Sequence, residues 1–336
     1  MRIAVIGAGA VGGLMAALAA RAGHEVLVTA RGEHAQAIAE AGLHVDGGWG
    51  EWVAAVTLVE SIPARTDDGA RGLDLLVLAT KANDSADALA PWASYDGTPV
   101  LVLQNGLGGE VAVRDALPHS PIAVGLALFA VSLSGPGRIT VTGPNGLTLG
   151  GEAGAVTIAE TLLRAALPAE LILADDIRGA QWTKLLVNQV NALPAITGLS
   201  VQQTIAKSAL RAVLARGMVE TVAVGDALGV EWGRIGDVDV AAVAAVRAGG
   251  AAAAEQLAQR LAAGMGEVPN PASMLQSIRR GRPTEVDAIN GSVVAHGARL
   301  GVPTPVNAAL VELVHEVEDA GTFLTTRDVQ AALDRG

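Results

Sequence analysis

A lysine and two asparagines share one face of a helix predicted over Asp175–Leu193. At about 100° per residue, Asn188 lies about 40° from Lys184, and Asn191 lies about 20° to its other side. Only three of the 23 basic residues in the chain are lysines. A surface lysine that extends its charge into water is the ordinary alternative. The two asparagines on the same face, in a helix that also contains three consecutive apolar residues at 185–187, favour a polar site instead.

A glycine-rich segment near the start of the chain has the spacing of a phosphate-binding loop. Its residues are Gly7, Ala8, Gly9, Ala10, Val11 and Gly12. In this GxGxxG pattern the first glycine permits a tight turn, the second lets a pyrophosphate approach, and the third allows the helix to pack closely on the sheet. The phosphates would bind at the helix N-terminus, where N–H groups and the helix dipole favour anions. Because the segment lies between a predicted strand and a predicted helix, it predicts a dinucleotide site.

The end of the second predicted strand indicates which dinucleotide binds. An NAD site usually has an acidic residue about 20 residues after the glycine loop, for the ribose 2′-hydroxyl. This chain has Thr29-Ala30-Arg31 there, with no carboxylate before Glu33. Arg31 can pair with a 2′-phosphate, so the sequence predicts NADP(H). The alternative is that Arg31 is a solvated loop charge.

A third group of polar residues lies near the end of the chain. Asn270 and Ser273 precede a segment, Thr284–Gly291, that contains Glu285. A helix predicted to begin at Thr284 makes Glu285 either a first-turn carboxylate that complements the helix dipole or a catalytic group. Spacing alone does not decide between these two roles.

The elements that must position these residues change character near residue 174. Before it, apolar runs rich in β-branched residues alternate with helical stretches, which predicts parallel βαβ units. The predicted strands are Arg2–Ile6, Glu25–Thr29, Leu73–Ala79, Val100–Leu103 and Leu171–Leu173. Arg138–Thr142 and Gly146–Leu149 predict a hairpin that closes this domain.

From Asp175 onward, helical periodicity dominates. The further predicted helices are Val201–Leu228, Val238–Ala263, Pro271–Arg280, Thr284–Leu300 and Thr304–Ala320. The predicted fold is therefore α/β: a Rossmann-type doubly wound parallel sheet over residues 1–174, which binds NADP, followed by an all-α domain over residues 175–336.

Composition excludes several classes of function. The formal charge is −11, which argues against nucleic-acid and anionic-membrane partners. The chain has no cysteine, so thiolate metal sites and cysteine nucleophiles are excluded. The histidines form no ligand-spaced cluster, so no metal is expected and structural roles are predicted for all of them. They are His24, His34, His44, His119, His296 and His315. The glycines of the apolar N-terminus and the charges within Val238–Ala258 argue against a secretory signal and a membrane span, which predicts a cytoplasmic protein.

These segments, in this order, resemble the ketopantoate reductase (2-dehydropantoate 2-reductase) family nearly end to end. The matching pieces are GAGAVG at 7–12, Thr80-Lys81, Gln104-Asn105-Gly106, Lys184 with Asn188, Asn270 with Ser273, and the segments 284–291 and 301–307. Each piece is moderately specific, and their order and spacing together are highly specific.

The resemblance implies NADPH-dependent reduction of ketopantoate to (R)-pantoate in pantothenate biosynthesis. It makes Lys184 the general acid that protonates the ketone oxygen. Glu285 would orient Lys184 or hold the cofactor ribose. The other implied roles are cofactor binding by Lys81 and Ala130, a position between nicotinamide and substrate for Asn105, and substrate binding by Asn188, Asn270 and Ser273.

One departure from the family bears on the substrate. The second family asparagine, eight residues after the lysine, is replaced by Ala192. On an α-helix Asn191 lies closer to the Lys184 face than residue 192, about 20° against about 80° away, and is expected to serve instead. The alternatives are a paralogue that reduces another 2-keto acid or ketone, and a non-catalytic NADPH-binding sensor. The expected assembly is a monomer or homodimer.

Overall fold

The computed structural model describes residues 1–59 and 72–333. The chain forms two compact units. Unit 1 contains Met1–Gln104 and Gly108–Ile177, and unit 2 contains Asn105–Leu107 and the chain from Arg178 onward. The units are therefore not separated by a single cut, because three residues within the first half of the chain belong to the second unit.

Unit 1 is built on a mixed sheet flanked by helices. The strands are β1 Arg2–Ile6, β2 Glu25–Val28, β3 Leu43–Gly47, β4 Trp52–Ala54, β5 Thr57–Leu58, β6 Leu75–Leu78, β7 Val100–Val102, β8 Ile122–Ala127, β9 Ala130–Gly135, β10 Arg138–Gly143, β11 Leu147–Gly151 and β12 Leu171–Leu173. The helices are α1 Ala10–Arg21, α2 Gly32–Ala41, α3 Ser85–Leu89, α4 Gly109–Ala116 and α5 Ala153–Ala166.

The main sheet confirms the predicted α/β class. In the part of the chain that is described, its strand order is β12-β11-β8-β7-β6-β1-β2-β5. The strands from β8 to β5 in this order are parallel, and β1 is paired with both β2 and β6. At one edge β11 runs antiparallel to β8, and β12 runs parallel to β11. The sheet is therefore of Rossmann type over six strands, with two reversed strands at one edge.

The predicted hairpin between Arg138–Thr142 and Gly146–Leu149 is wrong. The strand β10 lies in a second sheet of order β4-β3-β10-β9, whereas β11 lies in the main sheet. The hairpin partner of β10 is β9, which is joined to it by the turn Pro136-Gly137. Gly137 has φ +67°, a value that glycine adopts readily and that this two-residue turn requires. The later Gly143-Pro144 segment instead connects the second sheet to the main sheet.

Unit 2 is helical, as predicted. Its helices are α6 Ile177–Asn188, α7 Ala192–Thr197, α8 Val201–Ala206, α9 Ser208–Ala227, α10 Val240–Gly264, α11 Ser273–Arg279, α12 Ser292–Leu300, α13 Pro305–Ala320 and α14 Thr326–Leu333. The predicted helix Val201–Leu228 is divided at Lys207. The segment predicted as one helix from Thr284 begins with a π-helical turn, Asp287–Gly291.

Each unit has its own apolar core. In unit 1 the side chains of Ile3, Val5 and Leu14 are among those buried between the sheet and α1. In unit 2 Leu185 and Leu186 of α6 are buried in a cluster with residues of α9 and α13. Among the residues that the structure describes, no helix is both long enough and apolar enough to cross a membrane.

Candidate dinucleotide loop and active site

The glycine loop has the geometry that its sequence predicts. Gly7 has φ +92°, and a Cβ there would lie 2.7 Å from Cγ2 of Thr80. A Cβ on Gly12 would collide with the carbonyl oxygen of Gly7, whereas a Cβ on Gly9 would meet nothing within 4 Å. Gly7 and Gly12 are thus required by close packing, and Gly9 borders open space. Because Gly9 is the N-cap residue of α1 and the first turn contains no acid, an anion can approach here.

Two side chains outside the loop hold its backbone. The N–H of Gly7 donates to Oγ1 of Thr29 (2.8 Å). The imidazole of His34 on α2 lies 2.6 Å, through Nε2, from the carbonyl oxygen of Ala8. The N–H of Gly137 donates to Nδ1 of His34 (2.9 Å), so Nε2 carries the proton and donates to Ala8. The sequence alone does not identify His34 as a support of the loop, since nothing in its spacing connects it to the glycines.

The other predicted cofactor residues occupy distinct places in unit 1. Arg31 is exposed, follows β2 and is the N-cap residue of α2. Lys81 is half-buried and follows β6. Since β6, β1 and β2 are neighbours, the structure brings the glycine loop, Arg31 and Lys81 to the carboxyl ends of adjacent strands. Ala130 begins β9 in the second sheet and packs against Gly143.

Gln104 supports the segment that contains Lys81. Its Nε2 donates to the backbone oxygen of Thr80 (2.7 Å) and to Oγ of Ser85 (2.8 Å). The side chain of Gln104 is buried at the end of β7. The first residue of the Gln-Asn-Gly motif therefore has a structural role in unit 1.

In unit 2, Lys184 lies on α6 with only 8% of its surface exposed. Burial lowers the pKa of its ammonium group from 10.5 to about 8, and the negative charge of Glu285 acts in the opposite direction. A lysine with this pKa is largely protonated at neutral pH and gives up its proton more readily than an ordinary lysine. It is therefore suited to act as a general acid.

Asn105 and Glu285 form a hydrogen-bonded pair. Nδ2 of Asn105 donates to Oε2 of Glu285 (3.2 Å). The next residue, Gly106, has φ +80°, and a Cβ there would collide with the carbonyl oxygen of Ala288. The N–H of Leu107 donates to that same oxygen (3.0 Å). The segment Asn105–Leu107 is thus held against the turn that follows Glu285, and Lys184, Glu285 and Asn105 come together.

The remaining predicted substrate residues form a second group. Nδ2 of Asn191 donates to the carbonyl oxygen of Asn188 (3.0 Å), and Oδ1 of Asn191 accepts from the N–H of Ser273 (3.3 Å). Asn270 accepts from the N–H of Ala272 through Oδ1 (2.8 Å). Ala272 has φ +58° and ψ 159°, a conformation that L-residues rarely adopt. The backbone between Asn270 and Ser273 is therefore strained.

The structure changes the expected position of Asn191. The α-helix ends at Asn188, and Gln189–Asn191 form a 3-10 turn, so the rotation of about 100° per residue does not extend to residue 191. Asn191 joins the end of α6 to the start of α11 through both ends of its amide. Ala192 is fully buried in the core of unit 2.

Within residues 1–59 and 72–333, no group of three or more histidine, aspartate or glutamate side chains is arranged to hold a metal ion. Unit 2 instead offers a proton donor, Lys184, and a carboxylate, Glu285, whose charge raises the pKa of that donor. The amide of Asn105 is hydrogen-bonded to the carboxylate.

Comparison with known proteins matches both units. The family model described as "Ketopantoate reductase PanE/ApbA" matches residues 3–154, and the model of the C-terminal part of that family matches residues 176–318. The 2-dehydropantoate 2-reductase of Pyrococcus horikoshii is 31% identical over 329 residues, which cover 96% of this chain and 99% of the relative. The enzyme of the same name from Mesorhizobium japonicum is 30% identical, covering 94% of this chain and 98% of the relative.

Solved structures show the same similarity. A PanE/ApbA family ketopantoate reductase from Ralstonia eutropha has a TM-score of 0.80 at 30% identity and covers 96% of this chain and 99% of its own. A ternary structure of D-mandelate dehydrogenase with NADH and anilino(oxo)acetate has a TM-score of 0.78 at 27% identity, with the same coverage.

Similarity of this extent makes the protein an oxidoreductase that interconverts a C=O group and a CH–OH group. More narrowly, the chain belongs to the ketopantoate reductase family.

Proposed function

We propose that this protein reduces 2-dehydropantoate to (R)-pantoate with NADPH, a step of pantothenate biosynthesis. It would do so as a cytoplasmic monomer or homodimer acting on a small-molecule substrate. The observation that carries the proposal is Lys184, a buried ammonium group. Burial lowers its pKa to about 8, and the negative charge of Glu285 partly opposes that fall. The curated relatives named 2-dehydropantoate 2-reductase support this choice of substrate.

The residues of unit 1 fit a dinucleotide. The backbone at Gly9 borders open space where a pyrophosphate can approach, while Gly7 and Gly12 are packed. Arg31 is exposed after β2, where it can pair with a 2′-phosphate, and this supports NADP(H) over NAD(H). Lys81 adds a second positive charge at the same sheet edge. When bound, the reduced nicotinamide supplies the hydride that adds to the keto carbon.

The proton comes from unit 2. Nζ of Lys184 donates a hydrogen bond to the ketone oxygen and transfers its proton as negative charge develops there, so that a hydroxyl group forms. Glu285 opposes the effect of burial and keeps Lys184 protonated at neutral pH. It also holds the amide of Asn105. Asn188, Ser273 and Asn270 are the groups proposed to bind the carboxylate and hydroxyl of the substrate. Asn191 supports two of them.

A second candidate is reduction of an aryl 2-keto acid. Two observations favour it: the similarity to D-mandelate dehydrogenase, and the buried Ala192 at a position where the resemblance implies an asparagine. A site with fewer hydrogen-bonding groups discriminates less strongly in favour of a hydroxylated substrate.

The test is the oxidation of NADPH, followed by absorbance, with 2-dehydropantoate, the 2-keto acid corresponding to mandelate, and a panel of other 2-keto acids. The same series is run with NADH. Selective turnover of 2-dehydropantoate supports the proposal, and selective turnover of the aryl substrate supports the second candidate. Binding of NADPH without any turnover would support a sensor.

The role of Lys184 is tested with Lys184→Ala. We expect kcat to fall by about a hundredfold or more while the Kd of NADPH stays within about twofold, because general acid catalysis contributes on the order of a hundredfold to ten-thousandfold. Near-normal turnover would refute the proton-donor role.

A further inference from the structure

Three amide side chains are completely buried in unit 2, next to the elements that contain Lys184 and Glu285. Nδ2 of Asn290 donates to Oε1 of Gln189 (2.8 Å) and to Oδ1 of Asn307 (2.9 Å). All three side chains have 0% of their surface exposed. Burying a polar atom is costly where it has no hydrogen-bond partner, and among the described residues Nε2 of Gln189 and Oδ1 of Asn290 are buried without one. The arrangement therefore calls for a reason other than stability.

The amides are anchored at one end by a carboxylate. Glu220 on α9 accepts from Nδ2 of Asn307 (2.8 Å) and from the backbone N–H groups of Asn307 (2.9 Å) and Val306 (2.8 Å). These contacts fix the first turn of α13 to α9 and set the position of the Asn307 amide. Asn307 in turn sets the orientation of Asn290.

At the other end, the amides join the two halves of the proton-donor site. Gln189 directly follows α6 and stands five residues after Lys184, and Asn290 stands five residues after Glu285. The backbone around Glu285 is tied to the same turn, because the N–H of Ile289 donates to the carbonyl oxygen of Glu285 (3.0 Å). The hydrogen bond between Asn290 and Gln189 thus links α6, which contains Lys184, to the segment that contains Glu285.

We propose that Asn290 and Gln189 are positioning residues that set the distance between Lys184 and Glu285. Neither touches the reacting atoms. They act through the two elements that they join, and so determine how strongly the carboxylate supports the charged ammonium group. The inference deepens the proposed function, since it concerns the proton donor of that reaction. It can be tested without substrate or cofactor.

The composition of the chain makes a direct measurement possible. With only three lysines, Lys81, Lys184 and Lys207, isotope-labelled lysine side chains give three NMR signals that Lys→Arg variants assign. In the full-length protein, Asn290→Ala is expected to lower the pKa of Lys184 by about half a unit or more, because burial persists while the support from Glu285 weakens. Gln189→Met, which keeps the length of the side chain but removes the acceptor, is expected to lower it in the same direction.

Two controls separate positioning from general loss of structure. Thr197→Val removes a hydrogen bond of unit 2 outside these amides, from Oγ1 to the carbonyl oxygen of Leu193 (2.7 Å), and should leave the pKa of Lys184 unchanged. In the Glu285→Gln background, Asn290→Ala should cause no further fall in the pKa of Lys184. The negative charge of residue 285, which Asn290 is proposed to position, is then already absent.

An unchanged or raised pKa of Lys184 in both Asn290→Ala and Gln189→Met would overturn the inference, as would an equal fall with and without Glu285. If Asn290→Ala does not fold, Gln189→Met decides. Absence of keto-acid reduction would count against the proposed function alone. If turnover is present, the alkaline limb of the kcat profile should move with the pKa measured by NMR.

Discussion

Lys184 is a cation that the fold removes from water. The fall of its pKa from 10.5 to about 8 means that its protonated form is disfavoured in the folded state by about 3 kcal/mol, at about 1.36 kcal/mol per unit. Between these two values the unfolded chain binds more protons than the folded one, so this group makes stability rise with pH across that window. Its reactivity as an acid therefore comes with a loss of stability at neutral pH.

Replacing Lys184 by Met should stabilise the protein while abolishing its proton donor. We expect the free energy of unfolding at pH 7 to rise by up to about 3 kcal/mol, because methionine fills similar space without a charge. The rise in stability between pH 8 and 10.5 should flatten. Urea unfolding at several pH values measures both effects. Lys207→Met, at an exposed position, is the matched control and should change neither. A destabilised Lys184→Met variant would contradict the argument.

Arg31 offers a test of cofactor selection at a single exposed side chain. Arg31→Asp should raise the Kd of NADPH by about tenfold or more. The pair between the guanidinium and the 2′-phosphate is lost, and the new carboxylate repels the phosphate. The Kd of NADH should change much less. Titrations of both cofactors give the ratio, and Arg260→Asp, at an exposed position on α10, controls for the change in net charge. An unaltered NADPH:NADH preference would show that Arg31 is a solvated loop charge.

At the scale of elements, the contact between Asn105–Leu107 and the π-helical turn Asp287–Gly291 positions the amide that binds Glu285. A π-helical turn is rare and often occurs at functional sites. Here it presents the carbonyl oxygen of Ala288 toward Gly106 and Leu107. A side chain at residue 106 cannot be accommodated without moving this segment.

Gly106→Ala should therefore displace Asn105 from Glu285 and lower kcat by about tenfold or more, since small misplacements at a reacting centre are costly. Gly108→Ala is the matched control: Gly108 has φ +106°, but a Cβ there meets nothing within 4 Å. Both variants carry backbone strain and should lose stability to a similar extent. Equal loss of kcat in the two variants would show that strain, not the contact with Ala288, is responsible.

Local sequence patterns predicted the elements better than their partners. The glycine loop could be predicted because strand, turn and helix are consecutive. The second sheet was not predicted, because β3 and β10 are short and about ninety residues apart in the chain. Likewise, the polar face of α6 was visible in the sequence, but spacing could not connect Lys184 to Glu285. The change from α-helix to 3-10 turn at Gln189 has no signal in the residue spacing, so the α-helical angle calculated for Asn191 does not apply to it.

At the scale of the whole molecule, stability responds to pH through two basic groups whose pKa values shift in opposite directions on folding. His315 on α13 contacts Glu318 through Nδ1 (3.0 Å) and Asp287 through Nε2 (3.0 Å). Burial lowers its pKa, but the hydrogen bonds and charges of these two carboxylates outweigh burial and raise the pKa above 6.5. The stabilisation from protonated His315 is fully present below 6.5 and is lost as pH rises through the folded-state pKa.

We therefore expect the melting temperature of the wild-type protein to contain a decrease that begins near pH 6.5, and His315→Gln should remove that component. The contribution of Lys184, in contrast, should appear only above pH 8. Calorimetric scans of both proteins between pH 5 and 10 measure the two contributions separately. A His315→Gln profile parallel to that of the wild type would contradict the assignment.

The membership of Asn105–Leu107 in unit 2 has a consequence for recombination between relatives. A chimaera that joins the first half of one enzyme to the second half of another at residue 177 inherits Lys184 and Glu285 from one parent and Asn105 from the other. Crossovers should preserve function best where both parents present a compatible Gln-Asn-Gly segment. The module that is exchanged intact is therefore not a continuous stretch of gene, but the second half together with three codons from the first.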